Sequence, residues 1–144
     1  MADDPYASDI LLWSEHQAEL LGRVAAGEPV NERPDWSNII EELADVGRSE
    51  LRSCRSLLRQ ALRHMLKAEA WPLARDAPSW RADAIDFRRQ ARDAFAPSMR
   101  QKIDVAGLYA DALAAMPETI DGQLPLPMPD VCQVTLDDLL SDDP

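Results

Sequence analysis

The stretch from Asp35 to Trp71, DWSNIIEELADVGRSELRSCRSLLRQALRHMLKAEAW, contains no proline and a single glycine, which is typical of helix. At 100° per residue, its apolar residues fall within an arc of roughly 120° before Gly47 and stay close to that arc after it. The first set is Trp36, Ile39, Ile40, Leu43 and Val46, and the second is Leu51, Cys54, Leu57, Leu58, Ala61, Leu62 and Met65. The pattern therefore predicts one apolar face on both sides of Gly47.

Gly47 leaves two interpretations of this central helix. It is either one helix of about 35 residues, about 50 Å long, or two helices that meet at Gly47, with Ser49 as a new N-cap. A helix of that length cannot bury its whole apolar face on a chain of 144 residues. The continuous interpretation therefore favours a homodimer.

The rest of the chain predicts an all-α fold, a helical bundle of about four main helices around the long central helix. The other main helices run from Ser8 or Asp9 to about Ala26, from Ser79 or Trp80 to about Phe95, and from Pro97 to about Met116. The segment GQLPLPMPDV then predicts an extended Pro-rich strap, packed by Leu124, Leu126 and Met128, or alternatively a peptide-groove ligand. Thr135 and Asp138 resemble a capping box before a short terminal helix. We expect a single domain over residues 1–144, frayed at 1–8 and 141–144.

Charge divides the chain into three parts. From Arg48 to Lys102 there are 13 Arg or Lys residues against 6 Asp or Glu, whereas the remainder holds 2 basic and 20 acidic residues.

No segment reaches the roughly 18 apolar residues of a membrane span, and the acidic N-terminus does not resemble a signal peptide. We therefore expect a cytoplasmic protein without a membrane partner. Cys54 and Cys132 form no metal or disulfide pattern, so both are expected to be reduced thiols.

Six basic residues follow one another along the central helix at spacings of three or four, which places them on one flank. This basic ridge consists of Arg48, Arg52, Arg55, Arg59, Arg63 and Lys67. Because like charges at such spacing repel, an anionic group should lie along the ridge. The acidic ends of the chain are one source and an anionic partner is another. The net charge of −11 argues against nucleic acid.

Three other polar side chains lie at the edge of the apolar face: Asn38, Glu42 and His64. A Glu and a His beside a buried surface fit a metal or acid–base pair, but 22 residues of continuous helix would separate Glu42 from His64 by about 33 Å. Only another element or a second subunit could then bring them together. The alternative is that these residues belong to a structural polar network.

Motifs for known catalytic or cofactor chemistry are absent: the sequence has no phosphate loop, HExxH, GxSxG, zinc pattern or dinucleotide fingerprint. We therefore expect no catalytic residues, no metal ligands and no cofactor. The leading hypothesis is a non-enzymatic protein-interaction module that uses the central helix. Two alternatives stay open, namely a metal-assisted hydrolase built on Glu42 and His64, and anion or nucleic-acid binding by the basic ridge.

The sequence also resembles the bacterial domain-of-unknown-function family twenty-nine over nearly its whole length. The most specific parts are Asn38-Ile39-Ile40-Glu41-Glu42, Gly47-Arg48-Ser49, His64 with Leu66-Lys67, and Trp80. Gln133 follows Cys132 where the family pattern has proline. The resemblance implies a bacterial, predominantly helical cytoplasmic protein and no assigned activity. It also draws attention to Asn38, Glu42, Arg48 and His64, which coincide with the family's signature stretch.

Overall fold

The computed structural model describes residues 4–142, and its fold class is all-α, as predicted. The helices are α1 (Pro5–Ser8), α2 (Ile10–Ala25), α3 (Trp36–Ala70), α4 (Ala77–Ala94), α5 (Val105–Ala114) and α6 (Leu136–Leu140), with a 3₁₀ helix at Pro97–Lys102. The chain divides into two compact units, Met1–Arg48 and Ser49–Pro144.

Helix α3 is continuous over 35 residues and passes through Gly47 without a break. A Cβ atom added at Gly47 would have no heavy atom within 4 Å, so nothing packed against this position requires a glycine. The interpretation as one long helix is therefore the correct one. Both sets of apolar residues belong to a single face of α3.

The first unit contains α1, α2 and the beginning of α3. Asp4 caps α1 and Asp9 caps α2, each through a carboxylate that accepts a backbone N–H. Pro5–Ser8, part of the segment that we expected to fray, forms α1, and residues 1–3 lie outside the described part of the chain. Few residues of this unit are buried: Trp13, Gln17, Leu20 and Pro34. Ile10 and Val24 of α2 are also exposed.

The second unit has a continuous apolar core in which every element takes part. Its buried members are Cys54, Leu58, Leu62 and Leu66 of α3, Ala91 of α4, Met99 and Ile103 around the 3₁₀ helix, Tyr109 and Ala112 of α5, and Leu139 of α6. A second cluster surrounds Trp71 and Trp80. These contacts cover the apolar face of the second half of α3, as expected for a helical bundle.

One predicted element differs in this unit. We predicted a single helix from Pro97 to about Met116, whereas the chain forms the 3₁₀ helix, becomes extended at Ile103 and resumes as α5 at Val105. This break brings both Met99 and Ile103 into the core. Tyr109 of α5 is buried as well and donates its hydroxyl hydrogen to the carbonyl oxygen of Pro129.

The Pro-rich segment after Gly122 lies against the end of α3. The backbone N–H of Leu126 donates to Ala70 O at 2.9 Å, and the Trp71 indole N–H donates to Gln123 O at 2.8 Å. Met128 packs against both clusters, but Leu124 and Leu126 remain mostly exposed, so only one of the three expected side chains packs. The backbone hydrogen bonds hold the segment instead.

The chain then closes with α6, which begins at the predicted capping box. Thr135 Oγ1 accepts from the Asp138 N–H, and the Asp138 carboxylate accepts from the Thr135 N–H. Within the segment 141–144 that we expected to fray, the Ser141 hydroxyl donates to Asp138 O and Asp142 pairs with Arg92. Residues 143 and 144 lie outside the described residues.

Candidate functional site

The most unusual surface of the first unit is a row of large apolar side chains on α3 that is open to solvent. We call it the open stripe and define it as Trp36, Ile40, Leu43 and Val46, which are 42%, 63%, 73% and 61% exposed. Single exposed apolar residues are common on proteins, but four in a row on one helix face mark a binding surface or an aggregation hazard. The open stripe is therefore the first candidate site.

A polar network covers the neighbouring flank of α3 and leaves the open stripe uncovered. The Asp35 carboxylate accepts from the Trp13 indole N–H at 2.9 Å and from the Asn38 amide at 2.8 Å, while Gln17 Oε1 accepts from the Asp35 N–H at 2.8 Å. The hydrogen bonds from Asn38 and then Trp13 lower the pKa of Asp35 because they favour its charged form. Asn38 thus has a structural partner at the start of α3.

Glu42 belongs to the same flank and is bound to Tyr6. The Tyr6 hydroxyl donates to Glu42 Oε1 at 2.6 Å, and the Tyr6 ring packs edge-to-face on Trp13 with 4.8 Å between centroids. This hydrogen bond raises the pKa of Tyr6 to about 12. The sequence prediction missed Tyr6 because it placed this residue in a frayed leader; Asp4 followed by Pro5 was the signal for a capped helix there.

The basic ridge is only partly neutralised within the chain. Arg48 pairs with Asp45 at 2.6 Å and with Glu41 at 3.1 Å, and the Asp45 carboxylate raises its pKa. Arg55 donates to Lys102 O, and the Lys67 ammonium lies 4.6 Å from the centroid of the Trp80 ring. Within residues 4–142, the three remaining members are exposed and have no ion-pair or hydrogen-bond partner: Arg52, Arg59 and Arg63.

The acidic C-terminal end contacts other arginines. Asp137 of α6 pairs with Arg100 at 2.8 Å, and Asp142 pairs with Arg92. In the part of the chain that the structure describes, no C-terminal acid reaches the basic ridge. Among the described residues, the acidic ends therefore neutralise the ridge only at Arg48, through Glu41 and Asp45.

His64 lies in the second unit and is held by its own helix and by α4. Its Nδ1 donates to Gln60 O at 2.8 Å, its Nε2 is 3.8 Å from Asp83 Oδ2, and its ring centroid is 5.2 Å from that of Phe87. Glu42 and His64 are both on α3, about six helical turns apart. The structure does not bring them together within one chain.

No group of three or more His, Cys, Asp or Glu side chains that could hold a metal ion occurs among the described residues. Both cysteines are free; burial raises the pKa of the Cys54 thiol, which suits a core residue better than a nucleophile. No helix in residues 4–142 is both long and apolar enough to cross a membrane.

Comparison with known proteins gives a family but no activity. The family described as Domain of unknown function DUF29 matches residues 5–143. The chain is also similar to an alpha-helical protein of unknown function from Rhodospirillum rubrum, whose crystal structure is known. The two sequences are 28% identical, and the two structures have a TM-score of 0.66. The match covers 99% of this chain and 92% of that chain. No curated protein matches the chain.

Proposed function

The chain belongs to the DUF29 family, whose function is unknown. We propose, from the surface of α3, that it is a helical protein-interaction module. Its binding surface is the open stripe. The observation that carries this proposal is the exposure of Trp36, Ile40, Leu43 and Val46 on one face of a continuous helix. At about 100 Å² each, these side chains form an apolar patch of roughly 400 Å², within the size range of functional patches.

The placement of charge supports an apolar protein partner. Glu41 and Asp45 lie at roughly 140° and 180° around the helix from Trp36, so they point away from the open stripe. Both are paired with Arg48, and Glu42 is bound to Tyr6. The open stripe therefore offers apolar contact area and small neighbours, Ala44 and Gly47, which let a second helix approach closely.

The test compares Leu43→Glu with a matched substitution elsewhere. Leu73 is also exposed, at 97%, but lies in the turn between α3 and α4, so Leu73→Glu adds the same charge away from the open stripe. Wild-type protein isolated gently from its own cells is analysed by native mass spectrometry, with circular dichroism as the control for folding. We expect wild type and Leu73→Glu to retain a protein partner, either a second copy or another protein, and Leu43→Glu to lose it. A wild-type chain without any protein partner, or a Leu43→Glu chain that keeps it, would contradict the proposal.

A second candidate function, polyanion binding by the basic ridge, is favoured by the unpaired Arg52, Arg59 and Arg63. The test titrates a fluorescent single-stranded oligonucleotide at several salt concentrations. Replacing all three arginines by Gln should flatten the plot of log affinity against log salt by about two units, since each contacted phosphate adds about 0.7. Arg92→Gln, which removes an arginine already paired with Asp142, is the control. Binding that is absent at low salt or independent of salt would exclude this function.

A further inference from the structure

Three members of the open stripe are symmetric in sequence about Leu43, whereas Trp36, seven residues before it, has Glu50 as its counterpart. Ile40 lies three residues before Leu43 and Val46 three residues after it, while Ile39 and Gly47 lie four residues before and after. In a pair of antiparallel helices related by a two-fold axis at Leu43, positions equally far before and after it lie at the same level. Ile40 then faces Val46, Ile39 faces Gly47, and the two Leu43 side chains face each other.

From this symmetry we propose that the partner of the open stripe is the open stripe of a second copy of the chain, packed antiparallel with Leu43 at the two-fold axis. The inference rests on the proposed function, because it takes the open stripe as the contact surface. It adds the identity of the partner, the direction of the two helices and their register.

Side-chain size fits this register. A Cβ atom added at Gly47 would meet no heavy atom within 4 Å, so free space lies above this position. The branched side chain of Ile39, half-buried in its own chain, comes level with that space in the other copy. A large residue thus lies opposite the smallest one, as in closely packed helix pairs.

The area of contact fits a weak dimer that depends on concentration. Trp36, Ile40, Leu43 and Val46 of two copies would bury on the order of 800 Å² of side-chain surface, which is below the about 1,200 Å² of stable specific interfaces and in the range of transient ones. Glu41 and Asp45 stay on the far side of α3, so the acidic first units do not place like charges across this contact. A parallel pair lacks this fit, because Ile39 would meet Ile39 and Gly47 would meet Gly47.

The register is tested by disulfide cross-linking in a Cys132→Ser background, where the remaining Cys54 is buried. Leu43→Cys should cross-link to its own copy under mild oxidation, because a residue on the axis meets itself. Ile40→Cys and Val46→Cys should cross-link only when the two variants are mixed, since the two copies of Ile40 are about 9 Å apart along the helix axis. Leu73→Cys measures the rate of random collision, and we expect Leu43→Cys to react at least tenfold faster.

Light scattering on the purified wild-type chain at about 50 μM completes the test: we expect a dimer, and a roughly 100-fold weaker one for Leu43→Glu. A monomeric wild type would overturn the inference. So would cross-linking of Ile40→Cys alone at the rate of Leu43→Cys, which indicates a different register. Either result leaves the proposed function standing if Leu43→Glu still removes another protein from material isolated from cells, so the two failures are distinguishable.

Discussion

The two halves of α3 have the same apolar pattern, but the apolar face is exposed in the first half and buried in the second. Leu43 and Leu58 lie within roughly 60° of each other around one helix axis, yet Leu43 is 73% exposed and Leu58 is fully buried. In the second unit, α4, α5, α6 and the 3₁₀ helix supply apolar side chains that cover the face. In the first unit, Tyr6 and Trp13 bind instead to the polar flank, at Glu42 and Asp35. An amphipathic helix thus indicates that a face is to be buried, but not by which surface.

The largest predicted effect is the difference in stability between alanine substitutions at these two leucines. Leu58→Ala leaves a cavity in a closed core and should cost about 2–5 kcal/mol of unfolding free energy at every protein concentration. Leu43 is 73% exposed, so Leu43→Ala removes little packing within the chain, and most of its cost should appear at concentrations where the chain is associated. Thermal unfolding of both variants over a hundredfold range of concentration measures the difference.

Two results would contradict this predicted difference between Leu43→Ala and Leu58→Ala. A Leu43→Ala variant that loses as much stability as Leu58→Ala at all concentrations would mean that the open stripe is covered within the chain. A cost of Leu58→Ala that changes with concentration would mean that the second core depends on association. The conservative variant Leu58→Met, which keeps most of the volume, serves as the control and should cost less than about 1.5 kcal/mol.

A second prediction concerns the flank that α1 and α2 do cover. The Glu42 hydrogen bond raises the pKa of Tyr6 to about 12, so Glu42→Gln should return it toward the ordinary value near 10. Because the folded chain favours neutral Tyr6, this contribution to stability is complete below about pH 10 and is lost as the pH rises through 12. Ultraviolet titration of Tyr6 in a Tyr109→Phe background measures the shift, since these are the chain's two tyrosines.

Glu41→Gln is the matched control for that titration. Glu41 neighbours Glu42 in sequence but bonds to Arg48 and acts on Tyr6 only through a weaker Coulombic effect. Its substitution should change the Tyr6 pKa far less. Equal shifts from the two variants would show that the general acidity of the first unit, and not the hydrogen bond, controls Tyr6.

The sequence predicted what depends on local periodicity and missed what depends on distant contacts. The phase of the apolar face across Gly47, the start of α2 near Ser8 or Asp9 and the capping box at Thr135 were all correct because each rests on neighbouring residues. Periodicity also predicted one helix across Ile103, where the chain is not helical. The break at Ile103 depends on the core, which buries both Met99 and Tyr109.

The sequence identified the residues of the candidate site but not which of them are exposed. The stripe residues and the basic ridge were both identified from spacing. Which of the stripe residues remain exposed could not be predicted, because that depends on where α2 lies against the beginning of α3. The partners of Asn38 and Glu42, which are Asp35 and Tyr6, were missed for the same reason, and Tyr6 lies in a segment that was expected to fray.

The smallest predicted effect is at Gly47, at the boundary of the two halves. Gly47→Ala meets no heavy atom of its own chain, so at concentrations where the chain is monomeric it should stabilise α3 by about 0.5–1 kcal/mol through helix propensity. Gly27→Ala, the same change at a φ of +76°, should instead destabilise the chain, because an alanine is strained in that conformation. Hydrogen exchange of the α3 amides measures the effect, and a continuous helix predicts slower exchange on both sides of Gly47. Protection that increases only after Ser49 would mean that the uncovered half opens independently of the covered half, even though one helix joins them.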